Sequence, residues 1–286
     1  MSIRSFAARL GVSERMISKW EEGGDRITPR PVNQAALDGL LSACPPEIKA
    51  RFSMLASSEP PVQSSNQALS QQARHPVDGK LMLLIEAGVF PCGPADEPVF
   101  LPAFWIDVYP TTNADYARFV AATGHPVPEH WQPGSAPPAD LLDHPVVWVS
   151  WNDASAYAAW SAKSLPSSRQ WEKSARGVRG DIYPWGSQLT PAKANVRESG
   201  IRRTTPVDRY HSGASPYGVY DLCGNTWEWC STQSSPGRYE LKGSAFTSPF
   251  FRCTPSTFND AAADMLDDDT GFRCMTPVET MNAAGY

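Results

Sequence analysis

The stretch KGSAFTSPFFRC, residues 242–253, brings together several side chains that could do chemistry. Ser244 and Thr247 carry hydroxyl groups, Arg252 carries a guanidinium and Cys253 carries a thiol. A hydroxyl or thiol beside a base is the usual nucleophile of covalent catalysis. The same residue types, interleaved with phenylalanines, are also found at binding surfaces and in packed cores. The stretch by itself leaves all three interpretations open.

A second candidate is the acidic run NDAAADMLDDD at residues 259–269. Consecutive carboxylates can hold a hard cation, because such ions prefer oxygen ligands. A run of like charges is more often a solvated loop. The run is therefore interpreted as a solvated loop rather than as a metal site.

The thiols and imidazoles show no strong metal pattern. The chain has six cysteines and no CxxC pair, which indicates buried thiols in a reducing compartment. Among the five histidines, only His125 and His130 are close enough in sequence to converge on one ion.

The elements that must position these residues are short. Apolar runs at 80–90 and 99–110, bounded by Gly and Pro, predict strands. Helical spacing of apolar residues predicts helices within 113–124, 152–163 and 167–177, the last capped by Ser167 or Ser168. Eight of the ten tryptophans lie between 131 and 229, which indicates a loop-rich domain held by aromatic packing. The fold class predicted is α+β.

The first residues predict a separate small all-α segment. In SFAARLGVSERMISKWEEGG, apolar residues fall on one helical face up to Gly11, and Ser13 is placed to cap a second helix. This segment resembles the helix-turn-helix region of XRE-type bacterial regulators, whose second helix enters the major groove. The alternative is a helical oligomerisation or docking piece. The resemblance implies DNA contacts within residues 1–30, from Arg15, Ser18 and Lys19.

Charge and composition divide the chain. Residues 1–56 hold eight Lys/Arg against six Asp/Glu, and the rest holds 17 against 24, so any nucleic-acid contact belongs to the N-terminal segment. Residues 57–78, rich in Ser, Gln and Pro, predict a flexible linker to a domain spanning 79–280. The sequence has no secretory or membrane-spanning apolar run, so we expect a cytoplasmic protein without membrane contacts.

A series of motifs then appears in order between residues 144 and 274: HPVVWVSW, SLPSSRQWEKSARG, YPWG, TTPVDRY, YGVYDLCGNTWEWC, KGS and GFRC. The series resembles the formylglycine-generating enzyme, or sulfatase-modifying factor, family. The resemblance covers about residues 79–278 and implies a loop-rich variant of the C-type lectin fold. The family includes copper oxidases, iron-dependent sulfoxide synthases, an enzyme of pyoverdine maturation and the variable proteins of diversity-generating retroelements, so the fold does not decide the function.

The resemblance implies that the copper chemistry is lost. The oxidases bind Cu(I) through two cysteines downstream of a glycine-serine motif, and soft thiolates are the ligands that Cu(I) needs. The matching positions here hold Thr247 and, approximately, Arg252. Trp227 and Ser244, which match residues beside the oxygen site, are retained. No copper is therefore expected.

The resemblance also bears on disulfides and calcium. Cys253 and Cys274 match cysteines whose partner positions here are Ala158 and Ala175, so both are expected to be free buried thiols. Relatives bind calcium around the GNxWEW motif, and the matching residues are expected to form a calcium site unless their carboxylates bond neighbouring amides instead. These matching residues are Asp221, Gly224, Thr226 and Glu228.

The expected function is binding of a ligand or protein partner, on a surface similar to that of the diversified relatives. The alternatives are a non-copper enzyme of the same fold, such as an oxidoreductase or a natural-product maturation enzyme, or a DNA-binding regulator with a sensor domain. The catalytic candidates for the enzyme are Ser244, Trp227 and Arg252, with Glu228 beside them. The expected binding residues are Ser244, Thr247, Phe250, Phe251, Arg252, Asn259 and Asp269.

Overall fold

The computed structural model describes residues 72–131 and 136–283. All of them belong to one of the two units into which the chain divides, Ala68–Tyr286. The predicted helix-turn-helix segment and its DNA-contact residues Arg15, Ser18 and Lys19 lie outside the described residues. Their role in DNA binding stays a prediction, to be tested by salt-sensitive and sequence-selective binding.

Within residues 72–131 and 136–283, ten strands and four α-helices alternate with long irregular segments, as predicted for an α+β fold. In chain order the elements are β1 (Gln72–Arg74), β2 (Leu81–Ile85), β3 (Gly88–Cys92), β4 (Glu97–Leu101), β5 (Phe104–Asp107), α1 (Asn113–Thr123), α2 (Trp151–Trp160), α3 (Ser168–Arg176), β6 (Trp227–Ser235), β7 (Arg238–Lys242), β8 (Asn259–Ala262), β9 (Thr270–Gly271), β10 (Met275–Pro277) and α4 (Val278–Ala283).

Two four-stranded sheets form the framework. One is antiparallel with the order β1-β2-β5-β10, so it joins the start and the end of the domain. The other has the order β8-β7-β6-β9, and β3 pairs with β4 in a separate hairpin. In the second sheet, Glu228 on β6 lies opposite Lys242 on β7. This register places the start of β6 beside the loop that begins at Gly243.

The domain begins earlier than the sequence indicated. Strand β1 pairs with β2, and both His75 and Asp78 are buried. The predicted flexible linker 57–78 therefore extends too far, and its last residues, 72–78, belong to the folded domain. The sequence did not indicate that residues 72–78 are folded, because the groups they bury, such as His75 and Asp78, are polar or charged rather than apolar.

The three predicted helices form close to the expected positions. Thr112, Ser150 and Ser167 are the N-caps of α1, α2 and α3, and each makes a capping box with the side chain three residues on. Helix α1 ends at Gly124, whose left-handed backbone (φ 71°) suits glycine. The caps fix the residue at which each helix begins, and the apolar spacing decides which face packs on the core.

The core is aromatic, as predicted from the tryptophans. Tyr116, Tyr157 and Trp229 are each at most 1% exposed and belong to one cluster between α1, α2 and β6. Packing of such large rings contributes most of the buried apolar area. The described residues contain no helix long and apolar enough to cross a membrane.

Charged groups are buried beside this core. Lys163 Nζ lies 2.8 Å from Asp78 Oδ2 and 2.7 Å from Asp107 Oδ1, with all three side chains fully buried. The Tyr157 hydroxyl donates to Asp78 Oδ2 at 3.2 Å. The network ties β5 to the segment after β1, and a buried charge is tolerated only when it is paired in this way.

Candidate functional site

The loop after β7 turns sharply at two residues with positive φ, Gly243 (96°) and Ser244 (63°). A side chain at Gly243 would come within 3.0 Å of the Trp171 ring, so the turn also requires glycine for space. Ser244 is 1% exposed, and its hydroxyl donates to the Arg252 carbonyl at 2.8 Å. Ser244 therefore closes the loop and is not a free nucleophile.

Three of the predicted residues converge a few residues further on. The exposed Thr247 donates a hydrogen bond from its hydroxyl to the Asp269 carboxylate. The Trp227 backbone N–H donates to the Asp269 carbonyl at 2.8 Å. Burial raises the pKa of Asp269, and the neighbouring Asp267 adds to the rise while the Thr247 hydrogen bond opposes it. The hydroxyl and the carboxylate thus satisfy each other.

The surface around this pair carries both signs of charge. One carboxylate oxygen from each of Asp267, Asp268 and Asp269 lies within 4.8 Å of the others. The Arg197 guanidinium donates to the Thr247 carbonyl at 2.9 Å. Such carboxylates are common on protein surfaces without an ion, so the arrangement is a polar patch rather than evidence of a metal.

The two neighbouring phenylalanines have opposite environments. Phe251 is 78% exposed, and Arg252 beside it is exposed too. Phe250 is 9% exposed and stacks on Tyr183, with ring centroids 4.9 Å apart. The expectation that Phe250 contacts a ligand is therefore corrected, since its ring is part of the core. Asn259 is exposed on β8, opposite Leu241, on a different element from the loop.

Both carboxylate oxygens of Glu228, which was predicted to bind calcium, already accept hydrogen bonds within the protein. Arg273 donates to both of its carboxylate oxygens at 2.7 Å, and the Trp171 indole N–H adds a third bond at 2.7 Å. Glu228 and Arg273 are both 0% exposed. A cation bound to Glu228 would lie next to the guanidinium charge, which already balances this carboxylate.

Asp221, the second carboxylate, is available. It accepts a hydrogen bond from Asn225 Nδ2 at 2.8 Å, and burial raises its pKa to about 7. The Gly224 carbonyl accepts from Thr226 N at 3.0 Å, and the buried Thr226 hydroxyl has no partner among the described residues. Calcium usually takes six to eight oxygen ligands. One uncompensated carboxylate with these neighbours does not fit the two-carboxylate site predicted from the sequence.

The histidine pair does not converge either. His125 Nε2 lies 2.7 Å from Asp153 Oδ1, and both buried ring nitrogens of His130 lack a partner among the described residues. Asp153 is also the third helical residue of α2, whose carboxylate accepts from the backbone of the N-cap Ser150 in the capping box. His125 therefore stabilises a helix start and is not available as half of a metal site.

Comparison with known proteins decides the family. The profile of the sulfatase-modifying factor enzyme 1-like domain matches residues 65–278. The chain belongs to this family. An inactive C-alpha-formylglycine-generating enzyme 2 from Mus musculus is 30% identical over 64% of this chain and 77% of its own length. A formylglycine-generating enzyme from Bos taurus is 28% identical over 74% of this chain and 73% of its own length.

A solved structure confirms the fold of the sulfatase-modifying factor domain. PvdO from Pseudomonas aeruginosa is 22% identical and superposes with a TM-score of 0.62, covering 72% of this chain and 98% of PvdO. At this identity the likeness concerns the fold alone.

Cys253 and Cys274 are free thiols, as expected. Cys253 is 1% and Cys274 is 0% exposed, and the partner positions Ala158 and Ala175 are buried and apolar. Burial raises the pKa of Cys274 well above its ordinary value. Neither thiol is at the positions of Thr247 and Arg252, where the resemblance places the copper ligands.

Two arginines that the sequence interpretation did not single out shape this site. Arg273 stands in the GFRC motif, and Arg197 lies between the YPWG and TTPVDRY motifs. The motif GFRC was a signal for Arg273, because an arginine between buried Phe and Cys needs a carboxylate partner. No sequence pattern indicated Arg197, since its contact is a single bond to a carbonyl 50 residues away.

Proposed function

We propose that this domain is a partner-binding member of the sulfatase-modifying factor family and does not carry out copper-dependent oxidation. The binding surface is formed by Thr247, Phe251, Arg252, Asp267 and Asp268, called the rim surface below. The observation that carries the proposal is the Thr247–Asp269 hydrogen bond. Thr247 stands where the family resemblance places a copper thiolate, and its hydroxyl and the Asp269 carboxylate bonded to it are hard ligands that Cu(I) does not favour.

The composition of the rim surface suits contact with a protein. Phe251 is a large aromatic side chain at 78% exposure, and Arg252 is exposed beside it. Aromatic and arginine side chains dominate the energy of protein–protein interfaces. Opposite charges on the same surface give orientation to a partner with a complementary pattern.

The buried state of the other candidates weighs against catalysis at this position. Trp227, Glu228 and Ser244 are at most 6% exposed. The Glu228 and Ser244 side chains make hydrogen bonds within the protein, and Trp227 donates one through its backbone N–H. An active site needs concave space that a substrate can enter. The relative from Mus musculus is named as an inactive member of the family, which is in line with a role other than oxidation.

Photocrosslinking tests the surface directly. p-Benzoylphenylalanine is placed at position 251 and, as a matched control, at position 189, because Phe251 and Leu189 are both 78% exposed. We expect a discrete crosslinked species in the producing cells from position 251 only, and its loss when Arg252→Glu is added. Equal adducts from both positions, or none from 251, would contradict the proposal.

An activity assay tests the other half of the proposal. The purified full chain is reconstituted with Cu(I) and offered a CxPxR peptide, with oxygen uptake and peptide mass as readouts. We expect no formylglycine product. Copper-dependent turnover above that of a Trp227→Phe variant would show that the domain is an oxidase after all.

A further inference from the structure

A cleft away from the rim surface has the chemistry of a small-molecule site. It lies between the N-terminal end of α3 and strand β7, has a volume of about 420 Å³, and is called the α3–β7 cleft below. We propose that the α3–β7 cleft binds a small zwitterion, a free α-amino acid with an apolar or aromatic side chain. Side chains of opposite charge divide its lining into two halves.

Two contacts between helix and strand form the floor of the cleft. Ser168 and Glu172 are four residues apart on α3, and Glu240 and Lys242 are two residues apart on β7, so each pair lies on one face of its element. The Ser168 hydroxyl donates to Glu240, and Lys242 Nζ donates to Glu172 Oε2 at 3.1 Å. The floor therefore presents a carboxylate at one end and an ammonium at the other.

The Lys242 end holds an ammonium whose hydrogen bonds are incomplete. The Glu172 carboxylate also accepts from Arg176 Nη1 at 3.0 Å and from Gly93 N at 2.6 Å, and Arg176 pairs with Asp96 as well, so the paired charges balance and Glu172 has little acceptor capacity left for Lys242. Lys242 is 2% exposed, and Glu172 is its one hydrogen-bond acceptor within 72–131 and 136–283. An ammonium has three donors, and burying a donor without an acceptor costs free energy. A ligand carboxylate would supply the missing acceptors.

Arg169 adds a second positive charge to the Lys242 end, at the mouth of the cleft. Its side chain is exposed and has no ion-pair partner in the part of the chain that the structure describes. Arginine binds carboxylates through two parallel N–H bonds. The buried Lys242 and the exposed Arg169 therefore form the carboxylate-binding half of the α3–β7 cleft.

Glu240 forms the ammonium-binding half. Its carboxylate accepts from Ser168, and no cation pairs with it among the described residues. Two residues along a strand span about 7 Å, so Glu240 and Lys242 start from points that leave room for a ligand with its two charges on adjacent groups. A ligand with only one charge would leave one of the two halves without a group of opposite charge.

The walls of the cleft select the side chain of the ligand and contain a thiol whose reactivity can be measured. Phe258 lines one wall and is 53% exposed, which favours an apolar or aromatic ligand side chain. Cys92 lines another wall and is half-buried. Burial raises the pKa of the Cys92 thiol, and the Glu172 carboxylate adds to the rise. Its rate of alkylation reports whether the cleft is occupied.

Calorimetric titration of the full chain with three matched probes tests the charge pattern. L-Phenylalanine carries both charges, N-acetyl-L-phenylalanine lacks the ammonium, and L-phenylalanine methyl ester lacks the carboxylate. We expect L-phenylalanine to bind at least about tenfold more tightly than either, which corresponds to 1.4 kcal/mol. Equal binding of the three probes would overturn the proposal. The proposal would also be overturned if none of the twenty common amino acids bound at 10 mM.

Single variants assign the two halves. Glu240→Gln is expected to remove the preference over the N-acetyl probe, and Arg169→Met the preference over the methyl ester. Arg179→Met is the control, because Arg179 is 73% exposed and pairs with Asp181 outside the cleft. L-Phenylalanine should also slow iodoacetamide labelling of Cys92 several-fold, with Cys92→Ser giving the background. The proposal would be refuted if L-phenylalanine bound without slowing the labelling of Cys92 and if both variants kept the probe preferences of the wild type, because the ligand would then lie elsewhere. Neither result depends on the rim surface.

Discussion

Arg273, in the segment that joins β9 to β10, donates to both carboxylate oxygens of Glu228 on β6, each at 2.7 Å, and both side chains are fully buried. The pair replaces a cation at the one glutamate that the GNTWEW motif would offer to calcium. Its charge-assisted bidentate geometry is the strong form of an ion pair. This relationship makes the first prediction.

Removing Arg273 should destabilise the domain severely. Arg273→Met leaves Glu228 as an unpaired buried charge, and we expect a loss of about 3–5 kcal/mol in the free energy of unfolding. Urea denaturation of the full chain measures it. The double variant Arg273→Met with Glu228→Gln should recover part of the loss, because the unpaired charge is gone. A single variant within 1 kcal/mol of the wild type would disprove the structural role given to the pair.

The adjacent phenylalanines should respond in opposite ways. Phe250→Ala removes a ring stacked on Tyr183 and should cost about 3 kcal/mol of stability. Phe251→Ala removes an exposed ring and should stay within about 0.5 kcal/mol. Thermal unfolding of both variants gives the comparison. Similar losses for the two would mean that Phe251 is part of the core and not of the rim surface.

Asp78 should make the fold sensitive to acid. Burial alone would raise the pKa of Asp78, but the His75 hydrogen bond and the Lys163 charge hold it well below its ordinary value of 3.8. A carboxyl with a depressed pKa in the folded state contributes stability above the unfolded pKa and loses it as the pH falls. We expect the free energy of unfolding to decline below about pH 4, and Asp78→Asn to flatten this slope. A slope unchanged in Asp78→Asn would assign the acid sensitivity to other carboxyls.

Asp221 should have the opposite pH dependence. Burial raises the pKa of Asp221 to about 7, so the folded state binds the proton more tightly than the unfolded state. The contribution of Asp221 to stability is then most favourable at low pH and falls between about pH 4 and 7, by at most about 4 kcal/mol. Asp221→Asn should remove this fall and raise the stability at pH 8.

Calcium provides the control for Asp221. We expect millimolar Ca²⁺ to leave the melting temperature at pH 8 nearly unchanged, in the wild type and in Asp221→Asn alike. A large stabilisation by Ca²⁺ in the wild type that disappears in Asp221→Asn would restore the calcium site predicted from the sequence.

The sequence alone determined the local structure and the missing thiolates. Helices α1, α2 and α3 were predictable because their caps Thr112, Ser150 and Ser167 and their apolar spacing are local signals. The order of the motifs gave the family. Through the family resemblance, the residues at positions 247 and 252 predict that the Cu(I) site is lost, because neither side chain is a thiolate.

Only the tertiary structure decided which candidates are accessible and which are already paired. Phe250 and Phe251 have the same side chain one position apart, and packing against Tyr183 separated their roles. Glu228 meets Arg273 across 45 residues, and Thr247 meets Asp269 across 22. Such contacts depend on how distant strands come together, and no local pattern records them. The α3–β7 cleft arises in the same way, because its two charged halves are assembled from elements far apart in the chain.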